Sequence, residues 1–260
     1  MIDWKHAVLA GLLIAVGFVS VRRESEARSE AESYRELSEA LLKGKPYFGP
    51  ALESAQGFAS RHQYFLPALK RSRASGDILE IGSWAGASAV IWAAALKSTG
   101  SPGRLVCVDP WLPYFDLKAN GAKVYAAMNH AAERGLVLPL FRHNLRAAGV
   151  TDIVDVRIGT SKQILPAIPD ASFALIYIDG SHAFEDVLYD IQQAKRLIKP
   201  GGAICGDDLE RQAKDMAPET LAADVQSGRD YIGYHPGVTA AVAKELTSVT
   251  VWDGFWMVEY

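Results

Sequence analysis

Carboxylates and a histidine stand where short apolar runs of this chain end. Asp179 follows the run "FALIY" within "IDGSH", His182 comes three residues later, and Asp207 and Asp208 close the run "GAICGDD". Carboxylate oxygens at neighbouring strand ends suit Mg²⁺, which takes one or two of them and completes its octahedron with water and substrate. A cation would also relieve the repulsion between the adjacent Asp207 and Asp208. The pattern predicts a divalent-metal site.

His182 is the candidate general base beside that site. It lies three positions past Asp179, at the start of an amphipathic helix, and should face the same strand-end crevice. An imidazole with its ordinary pKa of about 6.5 can take a hydroxyl proton near neutral pH. A plainer interpretation stays open for these residues, namely a strand-to-helix turn with solvated or capping side chains.

A second candidate site lies in "LEIGSWAGAS", where Gly82 and Gly86 follow an apolar run and open a helical segment. Such glycines let the backbone approach a ligand, and the helix start offers unpaired N–H groups. Asp109 ends the next run and is placed to accept hydrogen bonds from ribose hydroxyls. A tight turn is the alternative for the glycines, and a turn former before Pro110 is the alternative for Asp109. The spacing is not the G-x-G-x-x-G dinucleotide fingerprint, which disfavours a nicotinamide or flavin enzyme.

The elements that must position these residues alternate along the chain from Gly76 onward. Short β-type runs alternate with segments of helical period, which predicts a doubly wound, Rossmann-like α/β fold with a mostly parallel seven-stranded sheet and helices on both faces. The predicted strands are 77–82, 104–109, 152–159, 173–179 and 202–208, with "VTVWDG" and "FWMVEY" closing the chain. Ligands of such sheets bind beyond the carboxyl ends of the strands.

Composition excludes some classes of function. The 27 basic and 30 acidic residues of this 260-residue chain leave a net charge of -3, without the basic run that nucleic-acid binding needs. The 2 cysteines, Cys107 and Cys205, fall in predicted buried strands, which indicates a reducing compartment rather than a disulfide scaffold.

The amino terminus differs from the rest. Residues 7–21 are apolar or small without interruption, so we predict a membrane anchor within 1–23; a cleaved signal peptide and a buried helix are the alternatives. Lys and Arg are more numerous after the run, which places the main domain at the cytoplasmic face of the plasma (inner) membrane. Residues 24–45 are rich in charged helix formers and predict a solvated stalk, followed by a domain over 46–260.

Some segments carry no readable motif. The stretches 110–150 and 209–235 follow strand ends and are where a substrate lid would lie. We assign His235 and the tryptophans at 84, 92, 111, 252 and 256 to packing, with Trp111 as a possible lid contact. Oligomeric state stays open, a homo-oligomer included.

Five segments together resemble class I S-adenosylmethionine-dependent methyltransferases, and more narrowly the macrocin O-methyltransferase-like group that methylates sugars. They are "ILEIGSWAGAS", "RLVCVDPW", "IYIDGSHAFEDVLYDI", "LIKPGGAICGDDL" and "HPGVTAAVAKEL". The resemblance covers about residues 75–210 and, more loosely, 235–260.

The resemblance implies S-adenosylmethionine and a divalent cation, Mg²⁺ in the first instance, as cofactors. It implies a methionine-side loop with Gly82 and Gly86 supported by Glu80, a ribose contact at Asp109, and an adenine contact in the "IGTS" turn. It also implies cation ligands at Asp179, Asp207 and Asp208, with His182 as base. The full set of implied cofactor residues is Glu80, Gly82, Ser83, Gly86, Ser88, Asp109, Gly159, Ser161 and Asp179.

The predicted function is therefore O-methylation of a hydroxyl on a sugar, glycolipid or small natural product. A non-catalytic cofactor-binding or scaffold protein at the membrane is the first alternative, although a scaffold has no need of this acidic set. An oxidoreductase or hydroxylase is the second, and it lacks both the dinucleotide fingerprint and a histidine-rich iron triad.

Overall fold

A single seven-stranded sheet organises the protein. The computed structural model describes residues 24–54 and 61–260, and the predicted anchor within 1–23 lies outside them. The strands are β1 (Asp77–Ile81), β2 (Leu105–Asp109), β3 (Val154–Ile158), β4 (Phe173–Ile178), β5 (Ile198–Leu209), β6 (Thr250–Trp252) and β7 (Gly254–Glu259). Their order is β3-β2-β1-β4-β5-β7-β6. The first five run parallel, and β7 is antiparallel to both β5 and β6. The predicted Rossmann-like fold is confirmed.

Helices cover both faces of the sheet. They are α1 (Glu24–Lys43), α2 (Phe65–Arg71), α3 (Ala87–Thr99), α4 (Lys123–Glu133), α5 (Val137–Ala147), α6 (Ser161–Ile164), α7 (Phe184–Leu197), α8 (Pro218–Ser227) and α9 (Pro236–Glu245). Helices α1 to α5 contribute buried side chains to one core, and α7 and α9 contribute to a second core on the other face. Both cores include apolar side chains of the strands, because the strands are buried on both faces.

Most predicted strands start or end within two residues of the observed ones. The largest difference is at β5, which begins at Ile198 and includes the "KPGG" segment. Its pairing with β4 shifts register between Phe173 and Leu175, where the extra residues of this segment are accommodated. Cys107 and Cys205 are free thiols, buried in β2 and β5 as predicted.

The predicted stalk is helical, but part of it is not solvated. Leu37 is 0% exposed and Leu41 3% exposed, and both belong to the first core. The Tyr47 hydroxyl donates a hydrogen bond to the Ser33 carbonyl oxygen, which ties the helix to the chain that follows. The prediction that the whole segment is solvated is therefore wrong. Leu37 and Leu41 lie one turn apart and present an apolar stripe to the domain. The domain boundaries at residues 24, 45 and 46 stay a prediction.

Within residues 24–54 and 61–260, no helix combines the length and the apolar content that crossing a bilayer requires. The tryptophans pack as predicted: Trp84, Trp92, Trp111 and Trp256 are buried, and Trp252 is half-buried against Tyr64.

The order of the strands reverses between β1 and β4. Chain connections from β1 lead outward through β2 and β3, whereas those from β4 lead the other way through β5. A crevice opens at such a switch point, beyond the carboxyl ends of the strands. The loops that follow β1, β4 and β5 therefore decide what this protein binds.

Candidate active site

A cavity of about 590 Å³ lies at this switch point. Its wall includes residues from the loops after β1, β2, β4 and β5, so the two groups of residues singled out in the sequence share one cavity. A volume of this size is within the range that holds small ligands and cofactors.

The loop after β1 is held by Asp109. One carboxylate oxygen, Oδ2, accepts hydrogen bonds from the N–H groups of Ser83 at 2.9 Å and Trp84 at 3.0 Å, and Oδ1 accepts one from Trp111 at 2.6 Å. Gly82 has φ +86, and a Cβ there would collide with the carbonyl oxygen of Asp179. Only glycine allows this close approach of the β1 and β4 loops.

Glu80 supports the loop from beneath. It is 0% exposed, and its Oε2 accepts a 2.5 Å hydrogen bond from the Ser83 hydroxyl and one from the Cys107 thiol. Burial raises the pKa of Glu80 to about 7, although these hydrogen bonds oppose the rise.

The predicted cofactor residues divide into two sets. Gly86 packs on the ring of Phe141, with its helix-capping φ of +90, rather than facing a ligand. Gly159 donates a backbone hydrogen bond to the Asp109 carbonyl oxygen. Residues in the cavity wall are Gly82, Ser83, Ser88, Asp109, Ser161 and Asp179, whereas Glu80, Gly86 and Gly159 pack behind it.

A break in the pairing of β5 with β7 shapes the acidic side of the cavity. The register shifts between Gly206 and Leu209, and Asp208 has φ +68. Successive side chains of a regular strand point to opposite faces, but a bulge re-aims them. Asp207 and Asp208 therefore both line the cavity although they are adjacent in the chain. Backbone strain of this kind is concentrated at functional sites.

Arg61 pairs with these carboxylates. Its guanidinium lies 2.5 Å from Asp207 Oδ1, 3.3 Å from Asp208 Oδ1 and 2.5 Å from Glu210 Oε1, and its side chain is only 5% exposed. A Cβ on Gly254, whose φ is +92, would lie 2.6 Å from the guanidinium, so the glycine leaves space for it. Neither Arg61 nor Glu210 was expected from the sequence. Glu210 follows the last residue of β5, and the irregular pairing at this end of the strand gave no usable signal of its position.

Negative charge still predominates here. Burial, followed by the charges of Asp207 and Asp208, raises the pKa of Asp179 well above its ordinary value. Burial and the charge of Asp208 raise the pKa of Asp207 to about 7, against the opposing effect of Arg61. Buried carboxylates that repel one another are stabilised either by protonation or by additional positive charge.

His182 lies between two carboxylates. Its Nε2 is 3.0 Å from Asp208 Oδ2, and its Nδ1 is 2.9 Å from Asp230 Oδ2. Ionised carboxylates only accept hydrogen bonds, so a position between two of them favours a ring with a proton on both nitrogens, the imidazolium form. Burial lowers the pKa of His182, but Asp208 and Asp230 together outweigh it and raise that pKa well above its ordinary value. The loop that carries Asp230 had no sequence motif to identify it.

The prediction that His235 serves only for packing is wrong. Its Nδ1 lies 3.3 Å from Glu210 Oε2 and 3.7 Å from Asp208 Oδ1, and its ring centroid is 4.3 Å from that of His182. The residue lies directly before the first turn of α9, which brings it across from β5. A lone histidine before a proline gives no sequence signal of this placement.

Groups of possible metal ligands occur in the described residues, but they are not the predicted trio. Ligand atoms that lie within 4.8 Å of one another belong to His182, Asp230 and His235, and to Asp208, Glu210 and His235. Asp179 instead accepts a 3.1 Å hydrogen bond from the Tyr177 hydroxyl. The chemistry of these side chains fits a cation, and Asp208 is common to the predicted trio and to one of these groups; the trio as the cation's ligands stays a prediction.

Aromatic rings and two joined loops form the outer part of the site. Phe115 and Tyr125 stack with centroids 4.0 Å apart, and their rings lie edge-on to His182 at 6.0 and 6.4 Å. The Asn120 side chain donates to the Gly228 carbonyl oxygen and accepts from the Asp230 N–H. The two stretches without motifs therefore meet beside the histidine.

Comparisons with known proteins identify the family of this chain. A family model described as a methyltransferase domain matches residues 79–209. The chain is 31% identical over 193 residues to a catechol O-methyltransferase of Mycobacterium tuberculosis, with 74% of each chain covered. It is 28% identical over 200 residues to the 8-demethyl-8-(2,3-dimethoxy-alpha-L-rhamnosyl)-tetracenomycin-C 4'-O-methyltransferase of Streptomyces olivaceus, with 73% of this chain and 76% of the relative covered.

Solved structures share the fold. The O-methyltransferase NovP superposes with a TM-score of 0.55 at 16% identity, covering 76% of this chain and 78% of NovP. A Klebsiella pneumoniae protein described as an O-methyltransferase superposes with a TM-score of 0.51 at 22% identity, covering 85% and 94% of the two chains.

The sheet order, the glycine loop and the acidic residue ending β2 define a methyltransferase that uses S-adenosylmethionine. The chain belongs to the family of class I S-adenosylmethionine-dependent O-methyltransferases. It is an enzyme, and the scaffold and oxidoreductase alternatives are set aside.

Proposed function

We propose that this enzyme methylates one of two neighbouring oxygens on a small molecule, with the help of a divalent cation. The acceptor is a vicinal diol of a sugar, a glycolipid or a natural product, and the narrower macrocin-like sugar group is part of this proposal. Support comes from relatives named for a catechol and for a rhamnosyl group, both of which present oxygens on adjacent carbons. The stacked Phe115 and Tyr125 offer a flat apolar wall to either kind of ring.

One observation carries the proposal. The carboxylates at the ends of β4 and β5 line the same cavity as the loop after β1, and their burial and mutual repulsion raise the pKa of Asp179 and of Asp207 although Arg61 contacts Asp207. A cavity that only bound cofactor would gain nothing from this buried repulsion. A divalent cation would relieve this repulsion and could then bind the two oxygens of the acceptor.

Cofactor residues take the following roles in the proposal. The backbone of Gly82 and Ser83 faces the methionine part of S-adenosylmethionine, and Glu80 keeps that loop in place through Ser83. Asp109 lines the cavity where ribose hydroxyls would lie, and its carboxylate also fixes the loop. Ser161, at the start of α6, faces the adenine part.

His182 is the proposed base. Asp230 holds the ring through Nδ1, which leaves Nε2 as the atom that would take the hydroxyl proton. Asp208 favours a proton on Nε2, so the ring can act as base only after that carboxylate is engaged elsewhere and the Nε2 proton has passed to solvent. A cation bound at Asp208 would polarise the acceptor oxygen and lower the pKa of its hydroxyl. Asp179 lines the same cavity, and in this proposal its carboxylate contacts either the cation or the acceptor.

Removal of metal tests this proposal. We expect the full-length enzyme to transfer a methyl group to catechol or to a methyl rhamnoside, and a chelator should reduce turnover by about 100-fold or more. Asp208→Asn should lower turnover similarly while the Kd for S-adenosylmethionine stays within about threefold. Asp152→Asn, on the surface beside Lys97, is the matched control. Full activity in excess chelator would contradict the cation's role.

We further propose that residues 1–23 anchor the enzyme at the cytoplasmic face of the inner membrane. Support comes from the uninterrupted apolar run 7–21 and from the excess of Arg and Lys after it. The full chain should sediment with membranes, whereas a chain that begins at residue 24 should not. Equal distribution of the two would contradict the anchor.

A further inference from the structure

Exposed apolar side chains are concentrated in two loops beside the cavity. Of the nine large apolar side chains exposed within residues 24–54 and 61–260, six belong to the segments 112–124 and 228–232. They are Leu112, Tyr114, Leu117, Val124, Tyr231 and Ile232. Single exposed apolar residues are ordinary on a protein surface, but a cluster of them marks a surface that contacts another molecule.

The two segments form one continuous surface, which we call the rim. Asn120 joins them, because its side chain donates a hydrogen bond to the Gly228 carbonyl oxygen and accepts one from the Asp230 N–H. Tyr114 and Val124 of the rim also line the cavity. The rim therefore borders the opening through which an acceptor reaches the site.

Basic side chains stand among the apolar ones. Lys118, Lys123 and Arg229 are exposed, and no carboxylate of the described part of the chain forms an ion pair with them. Asp116 is the exposed acidic residue of the rim, and its carboxylate accepts a hydrogen bond from the Lys118 N–H. The side chain of Asp230 is 7% exposed and is paired with His182. The exposed charge of the rim is therefore positive, on a chain whose net charge is -3.

We propose that the rim docks on the surface of an anionic bilayer, from which the enzyme takes its acceptor. The aliphatic side chains enter the boundary between headgroups and acyl chains, the tyrosines lie at headgroup level, and the basic side chains meet lipid phosphates. The docking surface goes beyond the proposed function. The acceptor class that it adds, a hydroxyl on a glycolipid headgroup, rests on that function.

The position of the rim in the chain and in the fold favours a bilayer over a soluble partner. The apolar run 7–21, proposed above as an anchor, would keep the domain near a membrane. A soluble protein seated on the rim would cover the opening of the cavity, whereas a bilayer can supply an acceptor through it.

A second copy of this chain fits the rim less well. A twofold contact places the same patch on both subunits, so the basic side chains of one rim would face those of the other. Like charges brought together at an interface oppose association. Anionic headgroups have the complementary charge.

Quenching of a fluorescent label in the full chain tests the inference without any acceptor. Cys107 and Cys205 are buried, so the label attaches selectively to the cysteine of Ile232→Cys. Vesicles of phosphatidylcholine and phosphatidylglycerol with a nitroxide on the acyl chains should lower its emission at least about twofold, because the label enters the bilayer. Tyr260→Cys is the matched control, since this exposed residue lies beside Gly201, at the other end of β5 from the cavity.

Reversal of charge tests the basic part of the rim. The combined variant Lys118→Glu, Lys123→Glu and Arg229→Glu should lose at least about half of the quenching at position 232, since each basic residue near an anionic surface contributes to binding. Lys70→Glu, an exposed lysine on α2, is the control and should leave the quenching unchanged. The Kd for S-adenosylmethionine should stay within about threefold in both, which shows that they are folded.

Three results would overturn the proposal. They are an unquenched label at position 232, equal quenching at positions 232 and 260, and quenching between labelled copies in the absence of lipid. The last result would assign the rim to contacts between copies of this chain.

These outcomes are separate from those of the proposed function. An enzyme that methylates catechol but whose label at position 232 is not quenched retains the proposed function and loses the docking surface. A chain that is quenched at position 232 but transfers no methyl group to a diol retains the docking surface and loses the proposed acceptor.

Discussion

Asp190 illustrates how one buried carboxylate makes stability depend on pH. It is 3% exposed on α7, and its Oδ1 has no hydrogen-bond partner among the described residues. Burial raises its pKa from 3.8 to about 7, although a hydrogen bond from Ser161 and the charge of Lys162 oppose the rise. The folded state therefore holds a proton that the unfolded chain releases at much lower pH.

The sign of the pH effect follows from this difference. Between about pH 4 and pH 7 Asp190 binds more protons in the folded protein than in the unfolded chain, so its contribution to the free energy of unfolding falls as pH rises. We expect Asp190→Asn, which keeps the Ser161 contact, to remove a few kcal/mol of the loss between pH 5 and pH 8. Urea unfolding of both proteins at the two pH values measures it, and identical losses would contradict the buried, protonated carboxyl.

Single residues of the site were predictable only where the chain itself signalled them. Asp179, Asp207 and Asp208 end apolar runs, and His182 follows at a fixed distance, so the sequence led to them. Arg61 opens a short 3₁₀ helix and Asp230 lies in a loop; neither segment has a readable period, and tertiary contacts bring both residues to the site. His235 is placed by the packing of α9 on α7, which no local pattern encodes.

At the level of elements, α1 and the β5 bulge depart most from expectation. Most residues of α1 are charged or polar, so its apolar stripe was hard to recognise in the sequence. In the second half of the helix only Leu37 and Leu41 are fully buried. The bulge at β5 required an antiparallel partner, β7, from the far end of the chain. Strand boundaries followed from apolar runs, whereas this irregularity follows from pairing.

Burial of α1 predicts unequal effects of two leucines. Leu37→Ala should lower the free energy of unfolding by about 2–5 kcal/mol, because it leaves a cavity in the first core. Leu42, which is 70% exposed on the same helix, is the matched control, and Leu42→Ala should change stability by less than about 0.5 kcal/mol. Chemical denaturation of the two variants measures both values. Equal and small effects of the two substitutions would support the prediction that this helix is a solvated stalk.

For the whole molecule, the doubly wound sheet explains where the candidate site lies. A crevice opens at the switch point between β1 and β4. The loop after β1 lines one side of it with glycine and backbone groups, and the loop after β5 lines the other side with carboxylates. Alternation of strand and helix patterns was enough to predict this architecture. The acceptor was not predictable, because the segments that surround it, 110–150 and 209–235, are shaped by contacts such as Asn120 with Asp230.

Transfer of a labelled methyl group tests the central claim most directly. Single-turnover reactions with S-adenosylmethionine carrying CD₃, a divalent cation and catechol or a methyl rhamnoside should place the label on an acceptor oxygen. His182→Gln should slow that transfer by about 10²–10⁴-fold while the Kd for S-adenosylmethionine stays within about threefold. Label found on the acceptor at the wild-type rate in His182→Gln, or a loss of rate matched by an equal loss of cofactor binding, would contradict the account.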